Sequence, residues 1–252
     1  MNNNMNKQLH LAAQYLATAG KSFLEHRSDD SHTNVGFFME DHTLRTWNLE
    51  DSGTYLAFSF DDFTLQWGSK NGKISFALDG KIHDVIVDWI SKMAIASSIK
   101  NAYRYDLHYD LPYKISNDFK FELSNLNDLS ELLQLRILAQ SSLAAFLSNE
   151  KLKSDIRIWP HHLDTGAFVE LNNGSGKSIG IGMAIPDSVS DNHYFYISGY
   201  KGHNALATNN FSKLTHGEWK NNGFKGAILP ALEVDENTVL AFFIEALALY
   251  KS

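Results

Sequence analysis

The segment 155–166, D-I-R-I-W-P-H-H-L-D-T-G, holds the residue types best suited to chemistry. It is typical of a strand followed by a turn that begins at Pro160 and presents His161, His162 and Asp164. Imidazole and carboxylate groups bind divalent metals, and together they can also act as a base and its orienting acid. We therefore expect His162 and Asp164 as metal ligands and His161 as a catalytic proton carrier.

Backbone geometry limits how these side chains can act together. In an extended segment His162 and Asp164 share one face, whereas His161 points to the other. One metal ion would then contact both histidines only if the turn rotated one of them. The alternative is a structural turn, in which Asp164 caps backbone amides and His162 forms a local hydrogen bond.

A similar turn precedes the first strands of the chain. The segments 32–36 (H-T-N-V-G) and 162–166 (H-L-D-T-G) both fit the pattern His-x-[Asn/Asp]-x-Gly. If the chain arose by duplication, the two turns would meet near a pseudo-twofold axis. His32, His162 and Asp164 would then line one cleft. His32 and Asn34 are the residues of the first turn that we expect to bind a ligand.

Residues 199–224 form a second region with candidate functional groups. The segment is rich in Gly, Asn and His, and a loop of this length in a compact domain is usually a lid, a binding loop or disordered. We expect His216 and Glu218 to handle protons and Trp219 to contact a ligand. The alternative is a polar surface excursion that Trp219 anchors to the core.

Aromatic residues make up 12% of the chain, enough to line an apolar pocket between a sheet and its helices. Trp159, beside the histidine turn, and Trp219 are the two tryptophans that we expect at a ligand. The alternative is that the aromatic side chains fill an ordinary core.

The first half of the chain is predicted to contain a helix, a meander and a second helix. Apolar residues recur at helical spacing over 7–27 and 81–100, whereas residues 33–78 alternate with a period of two. Asn71-Gly72 lies between two alternating runs and predicts a hairpin. About five antiparallel strands with one buried face are therefore expected.

The same order recurs after a connector at 101–124. A helix is predicted at 126–149 and another from Asp235. Five strand-like runs lie between them, at 155–159, 166–171, 178–185, 193–198 and 225–229. The predicted organisation is a flexible tail at 1–6, a first half at 7–100, the connector, and a second half at 125–252. The fold class is α+β: two similar halves, each a helix, an antiparallel meander of about five strands and a helix, with the helices packed on one sheet or two.

Composition and charge exclude several classes of protein. Without cysteine, the chain forms no disulfide, thiolate metal site or cysteine nucleophile. The formal net charge is −7 and no basic run is present, so we expect no nucleic-acid partner. The most apolar segment, 241–250, is shorter than a bilayer span, and the N-terminus shows no signal-peptide pattern. We therefore expect a cytoplasmic protein without a membrane partner.

Five short motifs occur along the chain in a distinctive order. They are 31–34 (S-H-T-N), 159–164 (W-P-H-H-L-D), 194–196 (Y-F-Y), 217–219 (G-E-W) and 223–230 (G-F-K-G-A-I-L-P). These motifs resemble a family of uncharacterised bacterial proteins, a domain of unknown function with the patterns W-P-H-H-[FL]-D and G-E-W…G-[WF]-x-G-A-x-L-P. Leu163 and Phe224 stand where the family has bulkier aromatic residues. The resemblance implies that the histidine turns are important, and it implies no reaction.

No complete catalytic signature is present, and two functional hypotheses follow. The first is a cytoplasmic protein that binds a small molecule or has another non-catalytic role, which predicts an enclosed, mainly apolar cavity. The alternative is a metal-dependent, hydrolase-like enzyme that uses the His32 turn and the His161/His162/Asp164 turn. It predicts that at least three candidate side chains converge on a divalent metal. The sequence names no reaction, cofactor or oligomeric state.

Overall fold

A computed structural model describes residues 3–50, 53–113, 116 and 118–251. These residues form four α-helices and two antiparallel sheets, one of five strands and one of seven. The predicted α+β class is therefore confirmed, with two sheets rather than one. Contacts between Cα atoms divide the described residues into two compact units, which we call the first and the second unit.

The two units do not divide the chain at the predicted boundary. The first unit contains the described residues through Leu133 and also Ile158–Leu163, and the second contains Gln134–Arg157 and the described residues from Asp164 onward. The boundary predicted at 125 thus moves into a helix, and the histidine turn joins the first unit. Val35 and Ile158 exchange two backbone hydrogen bonds, which attach the start of that turn to the first unit.

The sheet of the first unit is a meander. Its strands, in the order of pairing, are β1 (Gly36–Phe38), β2 (Thr43–Arg45), β3 (Tyr55–Ser59), β4 (Thr64–Ser69) and β5 (Gly72–Ala77). The hairpin predicted at Asn71-Gly72 is present, with Ser69 paired to Gly72 across two loop residues. The expected single buried face is wrong. Both faces of β3 and β4 are largely buried, whereas Ile74 in the edge strand β5 is 54% exposed.

Helix α1 (Asn3–Phe23) contacts β3 and is buried on nearly all sides from Met5 to Gly20. The flexible tail predicted at 1–6 is therefore wrong for residues 3–6, because the helix already runs through them and Met5 lies in the core. Residues 1 and 2 lie outside the described residues.

The polar side of α1 is covered by the described residues of 101–124, the predicted connector. Gln14 Oε1 accepts a hydrogen bond from the Tyr109 hydroxyl at 2.6 Å. Gln8 Oε1 accepts one from the Glu122 backbone amide at 2.6 Å, and Gln8 Nε2 donates to the carbonyl of the same residue at 2.6 Å. Since buried amides require such partners, this segment completes the first unit instead of linking two halves.

Helix α2 (His83–Ala96) is shorter than the predicted span of 81–100. It buries Ile86, Ile90 and Ala94, which follow one another at intervals of four residues. Trp89 on the same helix stacks on Phe76 of β5, with ring centroids 4.9 Å apart. The helix therefore covers the last strand of the meander on one side.

The second sheet follows helix α3 (Leu126–Asn149), whose bounds match the prediction. Its strands are β6 (Arg157–Trp159), β7 (Asp164–Glu170), β8 (Lys177–Ala184), β9 (Tyr194–Lys201), β10 (Asn204–Ala205), β11 (Glu218–Lys220) and β12 (Gly226–Pro230). The order is β11-β12-β9-β8-β7-β6, with β10 paired to β9. The five predicted strands are present, and the two that the sequence pattern missed, β10 and β11, are only two and three residues long.

Helix α4 (Glu236–Lys251) packs its predicted apolar face into the second unit. Asp235 caps the helix as expected, since its Oδ1 accepts hydrogen bonds from the Thr238 amide at 2.8 Å and the Thr238 hydroxyl at 2.7 Å. In the part of the chain that the structure describes, no helix is both long and apolar enough to cross a membrane.

Candidate functional site

A pocket of about 390 Å³ opens in the first unit beside α1, the start of α2 and the covering segment. Its volume lies within the range of small-molecule sites, about 300–1,000 Å³. The lining residues are Leu11, Tyr15, His83, Asp84, Tyr105, Ser116, Phe119 and Phe121. Five of these eight residues are leucine, tyrosine or phenylalanine, so most of the lining is apolar.

Burial is graded from the bottom of the pocket to its rim. Leu11, Tyr15 and Phe121 are at most 3% exposed and form the floor. Tyr105 and Phe119 are half-buried and form the walls. The remaining lining residues are exposed and polar. A ligand would therefore meet a dry aromatic floor below a polar rim.

Tyr15 of the floor and His83 of the rim form a polar pair. The Tyr15 hydroxyl and Nδ1 of His83 are hydrogen-bonded at 3.0 Å, and the His83 ring lies edge-on to Tyr105, with centroids 4.6 Å apart. Burial raises the pKa of Tyr15 above its ordinary value and the pKa of Tyr105 to about 12. Partial burial lowers the pKa of His83, against the opposing effect of Asp84. The pair is therefore uncharged near neutral pH and offers hydrogen bonds rather than ions.

Asp84 places a carboxylate at the rim. It lies in the first turn of α2, is exposed, and forms no hydrogen bond or ion pair with another described residue. One turn later on the same helix, Asp88 is instead paired with Lys92 at 2.7 Å. The described lining of the pocket thus carries one formal negative charge and no formal positive charge near neutral pH.

The residues singled out in the sequence lie elsewhere. His32 is 4% exposed within a short 3-10 turn, Ser31–Thr33, and its Nδ1 accepts a hydrogen bond from the Arg27 amide at 3.3 Å. Burial and the neighbouring His26 lower the pKa of His32. Asn34 ends this turn and is also buried. Both residues hold local backbone structure, and their predicted ligand-binding role stays a prediction.

The Trp159–Leu163 turn is held by α1. The Pro160 carbonyl accepts hydrogen bonds from His10 Nε2 and Gln14 Nε2, both at 2.9 Å. The turn closes through a 2.7 Å hydrogen bond from the Leu163 amide to the Trp159 carbonyl, and Leu163 has a φ of 57°. His10 and Gln14, both fully buried, therefore anchor the motif, and neither was expected at the site from the sequence.

This turn rotates the two histidines toward each other. The extended geometry that predicted opposite faces is wrong, because residues 160–163 form a turn and the His161 and His162 ring centroids lie 4.4 Å apart. The His161 ring also contacts Tyr109 at 5.6 Å, whereas His162 is exposed. The catalytic role predicted for His161 and the metal-ligand role predicted for His162 stay predictions.

Asp164 belongs to a buried polar cluster of the second unit. Its Oδ2 accepts a hydrogen bond from the Tyr196 hydroxyl at 2.9 Å. Arg136, 2% exposed on α3, donates from Nη1 to Thr165 Oγ1 at 2.6 Å. Burial lowers the pKa of Arg136 to about 10, and Asp164 opposes that shift. The cluster also affects His193, because burial first and Arg136 second lower the pKa of its ring to about 3.

The third predicted region also lies in the second unit. Glu218 and Trp219 line an open depression of about 440 Å³ with polar neighbours at 220–223. Glu218 is paired with Lys220 at 2.8 Å, and the Trp219 ring nitrogen donates to the Ser212 carbonyl at 2.9 Å. His216 is not among the residues that line this depression. The Trp219 ring also contacts the buried Tyr250, with centroids 5.6 Å apart, and so attaches the loop to the core; its ligand contact stays a prediction.

No three His, Asp or Glu side chains among the described residues are grouped so that they could hold a metal ion. The convergence expected of a metal-dependent enzyme is therefore not met in this part of the chain. Among the candidate ligands, Asp164 is hydrogen-bonded to Tyr196, and Glu218 is paired with Lys220.

The pocket residues were missed because their signals are spread along the chain. Tyr15 lies on a helix face, His83 and Asp84 begin another helix, and Tyr105 lies in a segment interpreted as a connector. The high tyrosine content of that segment was the one available signal, since exposed linkers rarely carry so many aromatic residues. Comparison with models of known protein families, with curated proteins and with solved structures gives no match for this chain.

Proposed function

We propose that the chain is a cytoplasmic protein that binds a small molecule in the pocket of the first unit. The observation that carries the proposal is a buried floor of Leu11, Tyr15 and Phe121, in which the Tyr15 hydroxyl is hydrogen-bonded to His83 at the rim. Sites for small molecules combine apolar walls with a few fixed polar groups in this way. Flat, aromatic or partly aromatic ligands fit such a wall best, because aromatic rings pack well edge-to-face or offset.

The metal-dependent alternative has less support. It requires three converging donor groups, and the described residues contain no such group of side chains. The histidine turn is explained by its attachment to α1 through His10 and Gln14. We therefore propose ligand binding without assigning a reaction.

The test is a fragment screen by saturation-transfer NMR, using single-ring and two-ring aromatic compounds. Ser116→Trp places an indole at the exposed rim and should block the pocket while leaving its buried floor intact. We expect at least about tenfold weaker binding of the hits, because the bulky ring competes for the same wall. Ser148→Trp, an exposed position on α3 in the second unit, is the matched control.

Two results would contradict the proposal. One is a screen without any hit on the folded wild-type protein. The other is a set of hits whose affinity is the same for wild type, Ser116→Trp and Ser148→Trp, since these ligands would bind outside the pocket.

A further inference from the structure

We propose that the pocket selects a small organic cation, an ammonium group attached to an aromatic or apolar body. This inference rests on the proposed function and names the class of ligand for the same site. The ammonium group would lie at the rim between the Asp84 carboxylate and the ring faces of Tyr105 and Phe119, and its apolar body would lie on the floor.

The first argument is the state of Asp84. A carboxylate in the first turn of a helix gains from the helix dipole, but Asp84 has no hydrogen bond or ion pair with another described residue. Asp88 and Asp106 of the same unit are paired with lysines at 2.7 and 2.8 Å. Asp84 therefore leaves a negative charge at the pocket mouth that a ligand cation can neutralise.

The second argument is the chemistry of the walls. The faces of tyrosine and phenylalanine rings attract cations within about 6 Å of the ring centre. The first unit already uses this interaction: Lys7 Nζ lies 4.9 Å from the Tyr113 ring and 5.8 Å from the Phe119 ring. Because Tyr15 and Tyr105 remain protonated and His83 uncharged near neutral pH, the described lining adds no positive charge to oppose a cation.

The third argument is the overall charge. A formal net charge of −7 attracts cations and repels anions at a distance, which raises the encounter rate with a positively charged ligand. Lys7 acts in the other direction because its ammonium group lies near Phe119. The preference for a cation therefore depends on Asp84, which lines the pocket, whereas Lys7 does not.

The experiment is a calorimetric titration with three indole compounds that differ in charge. Tryptamine carries an ammonium group, tryptophol replaces it with a neutral hydroxyl, and indole-3-acetate carries a carboxylate. We expect tryptamine to bind wild-type protein about tenfold more tightly than tryptophol, and indole-3-acetate to bind most weakly. Asp84→Asn should bring the affinity for tryptamine down to about that for tryptophol and leave tryptophol binding unchanged. Asp88→Asn, one turn away and paired with Lys92, is the matched control and should change neither affinity.

The outcomes separate this inference from the proposed function. Equal affinities for tryptamine and tryptophol, both reduced by Ser116→Trp, would overturn cation selection and leave the pocket as the ligand site. Tightest binding of indole-3-acetate would overturn it too. Binding of none of the three compounds, together with an empty fragment screen, would overturn both proposals.

Discussion

His193 should make the protein sensitive to acid. Its side chain is 3% exposed, and its Nδ1 atom has no hydrogen-bond partner among the described residues. Burial, with Arg136 as the second cause, lowers the pKa of the ring from 6.5 to about 3. Below pH 6.5 the unfolded chain therefore binds a proton that the folded chain does not, and the free energy of unfolding falls as the pH falls.

The size of the effect follows from the shift. Each pKa unit corresponds to about 1.4 kcal/mol, so the whole shift amounts to about 5 kcal/mol, reached only near pH 3. At about pH 5 the loss is about 2 kcal/mol, since the unfolded-state histidine is then mostly protonated and the folded-state histidine is not. A loss of this size is a large fraction of the stability of an ordinary domain.

Urea unfolding between neutral pH and about pH 5 measures this directly. His193→Leu removes the titrating ring. Between neutral pH and about pH 5, the free energy of unfolding of this variant should therefore decrease less than that of the wild type, by a difference of about 2 kcal/mol. His203→Leu, at an exposed turn between β9 and β10, is the control and should follow the wild type because its ring stays in water on folding. Identical pH slopes for wild type and His193→Leu would refute the reasoning.

Two further substitutions test the second unit. Tyr196→Phe removes the hydroxyl that donates to Asp164 at 2.9 Å. We expect this substitution to lower the free energy of unfolding by about 1.5–3 kcal/mol, the usual range for a hydrogen bond to a charged group. A change below about 0.5 kcal/mol in urea unfolding would show that the bond contributes little. Gly182→Ala should destabilise by about 1–3 kcal/mol or more, because a Cβ there would lie 2.6 Å from the Thr165 carbonyl oxygen and 2.7 Å from the Tyr196 hydroxyl. Gly180→Ala, on the same strand, is its control, since the nearest atom to a Cβ there, Ser198 Oγ, lies at an ordinary contact distance of 3.4 Å. Equal thermal midpoints for the two variants would contradict the crowding at Gly182.

The hydrophobic pattern determined most of the secondary structure. Helix α3 has the predicted bounds, the first meander has its five strands, and Asp235 caps α4. These features are local, because helical and strand periods, turn residues and caps act over a few neighbouring positions. The pattern missed β10 and β11, which lie in the segment 199–224, rich in Gly, Asn and His, where no apolar alternation marks a strand.

The functional groups could not be placed in the same way. The pattern marked the histidine turn as the candidate centre, but the environment of each side chain depends on segments far away in the sequence. His10 binds the carbonyl of Pro160, and Gln8 binds the backbone of Glu122. A polar residue on a helix is usually exposed, so only the covering segment shows why these are buried.

The sequence by itself thus determined the α+β class, the order of the elements, the absence of cysteine chemistry and the negative net charge. Only the tertiary structure brought Tyr15, His83 and Tyr105 together from three separate segments around one pocket. It also showed that Asp84 has no ion-pair partner among the described residues, whereas Asp88, four residues later, is paired with Lys92. The physical reason is that period and propensity act along the chain, whereas burial, charge pairing and cavity shape depend on which distant residues pack together.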